Sequence, residues 1–251
     1  MRQFLLPRWY AGEPRITLVG EDFHYLARVL RMREGGECPA VDAHGARYRM
    51  RLLRVGRSEC EMELSAEHAG DAPLPDAPQI TLLQCLPKGR KIDLIVRQAT
   101  EAGVLRIIPL FSENSVVRPG QDDARRQRLV RIAREALQQS GNARLPEIEE
   151  PRSLASIAGG GADWGTALLF HEQPVSTASL HRLLAPRPRA VSMIIGPEGG
   201  LSGGEVELLC AAGFQLVHLG GNVLRVETAA LYALGAVKTI LQERDEWTPV
   251  Q

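Results

Sequence analysis

Apolar positions in the first quarter of the chain fall in short runs that read as strands, at 15–19, 37–42, 46–55 and 59–65. Between the first two, residues 21–30 place Phe23, Leu26, Ala27 and Leu30 on one face of a helix. His24, Arg28 and Arg31 then share a neighbouring face at three- and four-residue spacing. Gly35-Gly36 punctuates the turn that follows. The pattern predicts a small β-rich barrel with one helix and a basic strip. From residue 79 strands and helices alternate instead: strand 79–86, helix 91–102, strand 104–111, a long amphipathic helix 122–140, and strands 167–170 and 191–195. Gly103 and Gly141 stop the two helices. Short, wholly apolar strands are those covered by helices on both faces, so the larger domain is predicted to be α/β with a mainly parallel sheet. Residues 66–79, AEHAGDAPLPDAPQ, have no periodicity and form the boundary. The expected organisation is a small domain over 1–70, a linker over 71–78 and a larger domain over 79–251.

At 251 residues, 44% hydrophobic and 24% charged, the chain has the make-up of a globular protein that buries a core without metal or disulfide support. Cys38, Cys60, Cys85 and Cys210 are scattered, with no Cys/His cluster, so no metal site is expected. No signal segment opens the chain and no apolar run is long enough to span a bilayer, which predicts a reduced, cytoplasmic setting without membrane attachment. Net charge is zero, but arginines outnumber acids from Met1 to Arg57. Two readings of that front end stay open: bidentate contacts to nucleic-acid phosphates, or an ordinary solvated surface.

The richest chemistry lies at the end of the chain. Strand VSMII runs into Gly196-Pro197-Glu198-Gly199-Gly200-Leu201-Ser202, and Ser202 with Glu205 forms a capping box for a helix reaching Ala212. A glycine loop from strand end to helix start is where ligands sit in open α/β sheets. A second such unit follows: strand 214–219, the turn Gly220-Gly221-Asn222, an extended link through Arg225, and a final helix over 227–243 with a face of small residues. The spacing is neither the dinucleotide fingerprint nor the P-loop, which counts against an oxidoreductase or a nucleoside triphosphatase. Glu198 would repel a phosphate and suits a cationic ligand better.

IIGPEGGLS followed by HLGGNVLRVETAALYAL resembles the C-terminal signature of the RsmE-type ribosomal-RNA uracil-N3 methyltransferases, in the SPOUT superfamily of knotted methyltransferases. Upstream, Leu86–Lys91 resembles the K-G-x-K/R segment of that family. Gln98–Val104 resembles K-A-T-E-L-G-V, and Glu113-Asn114-Ser115-Val116-Val117 resembles E-R-S-V-V. Pro7–Tyr10 and His24–Arg31 resemble its PUA-like domain. Four places depart from the pattern: Gln98 for lysine, Ala102 for leucine, Asn114 for arginine, and Gln138–Asn142 for an A-E-Q-S-x-R-type stretch. Asn114 and Asn142 each remove a positive charge available to RNA.

The resemblance implies a SPOUT-type α/β domain with a C-terminal trefoil knot, a smaller PUA-like domain, S-adenosylmethionine as cofactor, a uridine of 16S rRNA or of the small ribosomal subunit as substrate, and a homodimer. It implies a donor site at Ile195, Gly196, Pro197, Glu198, Gly199, Gly200, Leu219, Gly220, Asn222, Leu224, Thr228 and Ala229. Glu198 would face the sulfonium or the amino group. Arg225 would stabilise charge developing on the uracil oxygens, or else pair structurally with Glu198 or Glu227. Glu227 would accept the N3 proton or cap the last helix. Arg8, His24, Arg28, Arg31, Lys88 and Lys91 are the expected RNA contacts. A second functional class stays open, a catalytically silent RNA-binding or ribosome-assembly factor with the same fold, motivated by Asn114 and Asn142.

Overall fold

A computed structural model of the chain, which describes residues 3–67, 78–115, 123–159, 162–175, 178–185 and 188–243, divides into two units. One comprises Met1–Pro75 with Leu137–Leu145, the other Asp76–Ala136 with Pro146–Gln251. Residues 71–77 of the expected linker lie outside the described residues.

Alternating side chains build the first unit. Strands β1 (Phe4–Leu5), β2 (Arg15–Val19), β3 (Glu37–Val41), β4 (Arg47–Val55) and β5 (Glu59–Ala66) form one sheet in the order β1-β3-β4-β5-β2. Ile16, Leu18, Met50, Leu52, Cys60, Met62 and Leu64 point into a core shared with Phe4, Leu6 and Leu26. The opposite face carries charge, and there the arginines have acidic partners across the strands: Arg15 with Glu63 at 3.5 Å, and Arg49 with Glu37 at 3.7 Å and Glu67 at 3.2 Å. These exposed pairs disperse part of the arginine excess at the front of the chain. β1 is too short to show alternation and was not expected; it adds in parallel to β3, with Phe4 opposite Ala40.

The expected helix over 21–30 is not a single α-helix. An α-helical turn, α1 (Gly20–His24), passes into a π-helical stretch over Tyr25–Val29. The Leu30 N–H reaches back to the Tyr25 carbonyl and the Met32 N–H to that of Leu26. The wider turn buries Leu26 alone and leaves Phe23 and Leu30 half-buried. Arg31 ends the stretch at φ 53°, and His24, Arg28 and Arg31 are exposed.

The segment Leu137–Leu145, expected in the larger domain, groups with the first unit. The Gln3 side-chain amide donates to the Leu137 carbonyl at 3.1 Å and to the Asn142 carbonyl at 2.6 Å. Leu137 is fully buried with Leu5 and Val41. Asn142 therefore sits in a tethered turn.

The second unit is the expected α/β domain. It contains β6 (Gln79–Cys85), α2 (Lys91–Glu101), β7 (Arg106–Phe111), α3 (Asp123–Ser140, whose last residues belong to the first unit), β8 (Glu147–Ile148), β9 (Arg152–Ser153), α4 (Leu154–Gly159), β10 (Thr166–Phe170), α5 (Leu180–Leu183), β11 (Ala190–Ile195), α6 (Gly203–Ala211), β12 (Gln215–Val217) and α7 (Val226–Glu243). The sheet order is β12-β10-β11-β6-β7-β8, with β9 also on β7, and every pairing is parallel. Leu82, Leu83, Ile107, Ile108, Leu168, Leu169, Met193 and Ile194 are fully buried, so consecutive residues on both faces are covered. β7 and β8 extend the sheet on one side of β6, and β11, β10 and β12 extend it on the other. The carboxyl ends of β10, β11 and β12 therefore lie side by side, where such sheets hold ligands.

Gly165 makes the close join at the start of β10. Its φ is +61°, and a Cβ there would lie 2.3 Å from the Ala190 carbonyl oxygen. Gly165→Ala should destabilise the protein by about 2–5 kcal/mol, from backbone strain and overlap together. Urea unfolding with an unchanged m-value checks this; a loss under about 1 kcal/mol would mean that the β10–β11 join yields easily.

Candidate active site

Two loops are held in place before any ligand arrives. Ser202 caps α6: its hydroxyl accepts from the Glu205 N–H at 3.2 Å, and the Glu205 carboxylate accepts from the Ser202 N–H at 3.0 Å. The other oxygen of Glu205, a buried residue, accepts from the Glu113 N–H at 2.8 Å, so the loop after β7 is tied to the same helix end. Next in that loop, the Asn114 side-chain amide donates to the Gly199 and Gly200 carbonyls at 3.2 and 3.1 Å. Asn114 thus braces the glycine loop. Val116 and Val117, the end of that motif, lie outside the described residues. Gly200 has φ +68°, and its N–H closes a turn on the Pro197 carbonyl. The second loop turns at Gly220, φ +101°, where the Asn222 N–H meets the Gly220 carbonyl.

These loops and the end of β10 enclose a cavity of about 290 Å³. Ile195, Gly196, Pro197, Glu198, Gly199, Gly200, Leu219, Gly220, Asn222, Leu224 and Ala229 line it, as the sequence placed them. Thr228 does not; it is exposed on α7. Sequence reasoning missed Phe170, His171 and Glu172 at the end of β10, and Val217, His218, Val223 and Val226 around the second loop. The β10 residues carry no glycine signature. Their one sequence signal is their place directly after an apolar strand that neighbours β11.

Glu198 already has partners within the unit. Its carboxylate takes the Lys91 ammonium at 2.7 Å and the Lys88 N–H at 3.2 Å. Burial pushes its pKa up, but these donors outweigh burial and hold it below the ordinary carboxylate value. The Lys91 ammonium also lies 3.9 Å from Glu227, whose Oε2 is buried without a hydrogen bond. Lys91, expected on RNA, is therefore engaged inside this unit, while Lys88 remains exposed. Arg225 and Glu227 flank the lining residues Leu224 and Val226 without lining the cavity themselves. Arg225 is exposed, and neither Glu198 nor Glu227 forms the ion pair with it that the sequence left open. Lys238 of α7, half-buried with its pKa lowered by burial, donates to the Ala102 carbonyl at the end of α2 and fixes the helix that follows the site. Arg8, His24, Arg28 and Arg31 are all exposed on the first unit.

A parallel α/β sheet with two glycine loops and a backbone-lined cleft at its carboxyl edge defines the class. Residues 75–238, well over half the chain, match the RNA methyltransferase domain family, and residues 18–65 match the RNA methyltransferase PUA domain. The chain belongs to this family of RNA methyltransferases. Within it the chain is 31% identical to ribosomal RNA small subunit methyltransferase E of a Synechocystis species over 92% of this chain and 75% of that protein. It is 28% identical to the Bacillus subtilis protein of the same name, over 89% of this chain and 90% of that one. The crystal structure of the Neisseria gonorrhoeae ribosomal RNA small subunit methyltransferase E bound to S-adenosyl methionine superposes with a TM-score of 0.85 at 28% identity, covering 96% of this chain and 98% of that one. Among the described residues no helix is long and apolar enough to cross a membrane, and no group of His, Cys, Asp or Glu is arranged to hold a metal.

The Glu198–Lys91 pair has a definite pH signature. With its folded pKa depressed, Glu198 contributes stability above the ordinary value of 4.5, and that contribution is lost as pH falls through the folded pKa. Lys91→Met should therefore destabilise the protein at about pH 7 and much less at about pH 3. Urea unfolding of both proteins at the two pH values checks it. An equal difference at both would remove Glu198 from the account.

Proposed function

We propose that this chain transfers a methyl group from S-adenosylmethionine to N3 of a uridine in 16S rRNA, acting as a cytoplasmic homodimer in ribosome maturation. The observation that carries this reading is the backbone-lined cavity at the ends of β10, β11 and β12. Its volume lies at the small end of ligand pockets, and its walls combine apolar side chains with main-chain polar groups, which suits an adenosine-type ligand. Ile195, Gly196, Leu219, Gly220, Asn222, Leu224 and Ala229 would hold that ligand, with Pro197, Gly199 and Gly200 shaping the wall. Thr228 acts only through the start of α7. S-adenosylmethionine supplies the methyl group as an electrophile on a sulfonium sulfur.

The chain's own residues must then manage the uracil. N3 lies on the Watson–Crick edge, so the base has to be unpaired or flipped. Losing the N3 proton spreads negative charge onto the ring oxygens, and the exposed Arg225 guanidinium beside the cavity stabilises it. The unpaired Oε2 of Glu227 supports a role as proton acceptor; the neighbouring Lys91 supports a structural one. Arg8, His24, Arg28, Arg31 and Lys88 supply RNA contacts. In this reading residues 1–70 are the PUA-like RNA-binding domain, 71–78 the linker and 79–251 the methyltransferase domain. Its knot is the passage from β11 through α6 to β12 beyond β10, a strand order that supports such a crossing. Exposed Val223, Leu224, Leu231 and Tyr232 support coverage by a second copy. Four free cysteines support a reducing compartment. Asn114 and Asn142, the departures behind the silent-factor reading, each make contacts inside their own units.

Three outcomes are expected. Calorimetric titration with S-adenosylmethionine gives one site per chain. Arg225→Ala lowers turnover about 10²–10³-fold while donor affinity stays within about threefold; equal loss of both would make Arg225 structural. Nucleoside mass spectrometry of 16S rRNA from a strain lacking the protein loses one 3-methyluridine; no loss would return the binding-factor reading.

A further inference from the structure

Two carboxylates line the cavity, Glu172 and Glu198. Glu198 is held by Lys91 and the Lys88 N–H. Glu172 accepts no hydrogen bond from another described residue, and its nearest charge partner is His171 Nε2 at 4.0 Å. The His171 ring is fixed from behind, because its Nδ1 accepts from the Gln173 N–H at 3.1 Å. The Glu172 side chain is 45% exposed, open to the cavity and able to meet a ligand. Space is reserved for it: a Cβ on Gly200 would lie 3.1 Å from Glu172 Oε1. Glycine at this position keeps the carboxylate beside the loop.

Position supplies the ligand chemistry. Glu172 stands at the carboxyl end of β10, the strand directly paired with β11, which bears the glycine loop. In nucleotide-binding α/β sheets an acidic side chain at a neighbouring strand end accepts hydrogen bonds from ribose hydroxyls, while the glycine loop lets the rest of the ligand approach the backbone. A carboxylate is acceptor-only, and a vicinal diol presents two donors. We infer that Glu172 is the ribose-binding residue of this cavity, accepting hydrogen bonds from the 2′- and 3′-hydroxyls of an adenosine-type ligand. The inference rests on the cofactor reading above and is separate from the sulfonium or amino-group contact expected of Glu198.

The test is equilibrium titration of the full chain, unmodified and as Glu172→Ala and Glu172→Gln. The probes are S-adenosylmethionine, S-adenosylhomocysteine, methylthioadenosine and 2′-deoxy-methylthioadenosine. Thermal melting without ligand confirms that the variants fold. Glu172→Ala should weaken the first three ligands alike, by about tenfold or more, as expected for losing hydrogen bonds to a charged acceptor. The deoxy compound should bind the unmodified protein weakly and be much less sensitive to the substitution. Loss confined to S-adenosylmethionine would assign Glu172 to the sulfonium. Loss shared with S-adenosylhomocysteine but not methylthioadenosine would assign it to the amino group. Either result, or no change at all, overturns the ribose assignment. Failure of the unmodified protein to bind any of the four overturns the cofactor reading itself, and this inference with it.

Discussion

The buried carboxylate of Glu205 is the constraint on which the site depends. It sits at the start of α6, where unpaired N–H groups and the helix dipole favour negative charge. There it takes the Ser202 N–H and the Glu113 N–H on its two oxygens. A buried carboxylate without such donors would be strongly destabilising, so the two loops are held where the donors must be. Once residues 113–115 are anchored, Asn114 reaches the Gly199 and Gly200 carbonyls and sets the shape of the glycine loop. The glycine-loop side of the cavity is therefore held in shape by one charge and one amide.

Part of the charge elsewhere in the chain is committed to internal partners. On the first sheet Arg15 and Arg49 face glutamates across the strands, so arginine content overstates the basic surface. In the second unit Lys91 joins the start of α2 to the glycine loop and approaches Glu227 near the start of α7. Arg225 and Glu172, one cationic and one anionic, are two charged groups near the cavity that remain open to a ligand or substrate.

Much of the fold was legible because its signals are local. Apolar runs such as 79–86 and 191–195, the Ser202–Glu205 capping box and the stops at Gly103 and Gly141 each lie within a few residues. Eleven of the twelve expected donor-site residues line the cavity because both glycine loops follow strands directly. Thr228 does not line it, because helical rotation turns it outward from a start that Ala229 shares. Glu172 went unseen because no motif marks a carboxylate whose importance comes from the strand beside it. The π-helical stretch after His24 was also hidden: Phe23, Leu26 and Leu30 fit an α-helical face, and only packing against the sheet favours the wider turn.

By itself the sequence determined the strand–helix alternation, the two strand-end loops and the family, since each depends on residue order and short-range spacing. The tertiary structure decided which side chains meet. Lys91 and Glu198 are 107 positions apart, Asn114 and Gly200 are 86 apart, and Gln3 and Asn142 are 139 apart. No periodicity reports such pairs: the first two exist only once the parallel sheet brings its strand ends to one edge, and the third only once the turn after α3 packs into the first unit. The loops around the cavity were thus written in the chain, but whether Glu198 or Glu172 was left open to a ligand depended on where a distant lysine came to rest.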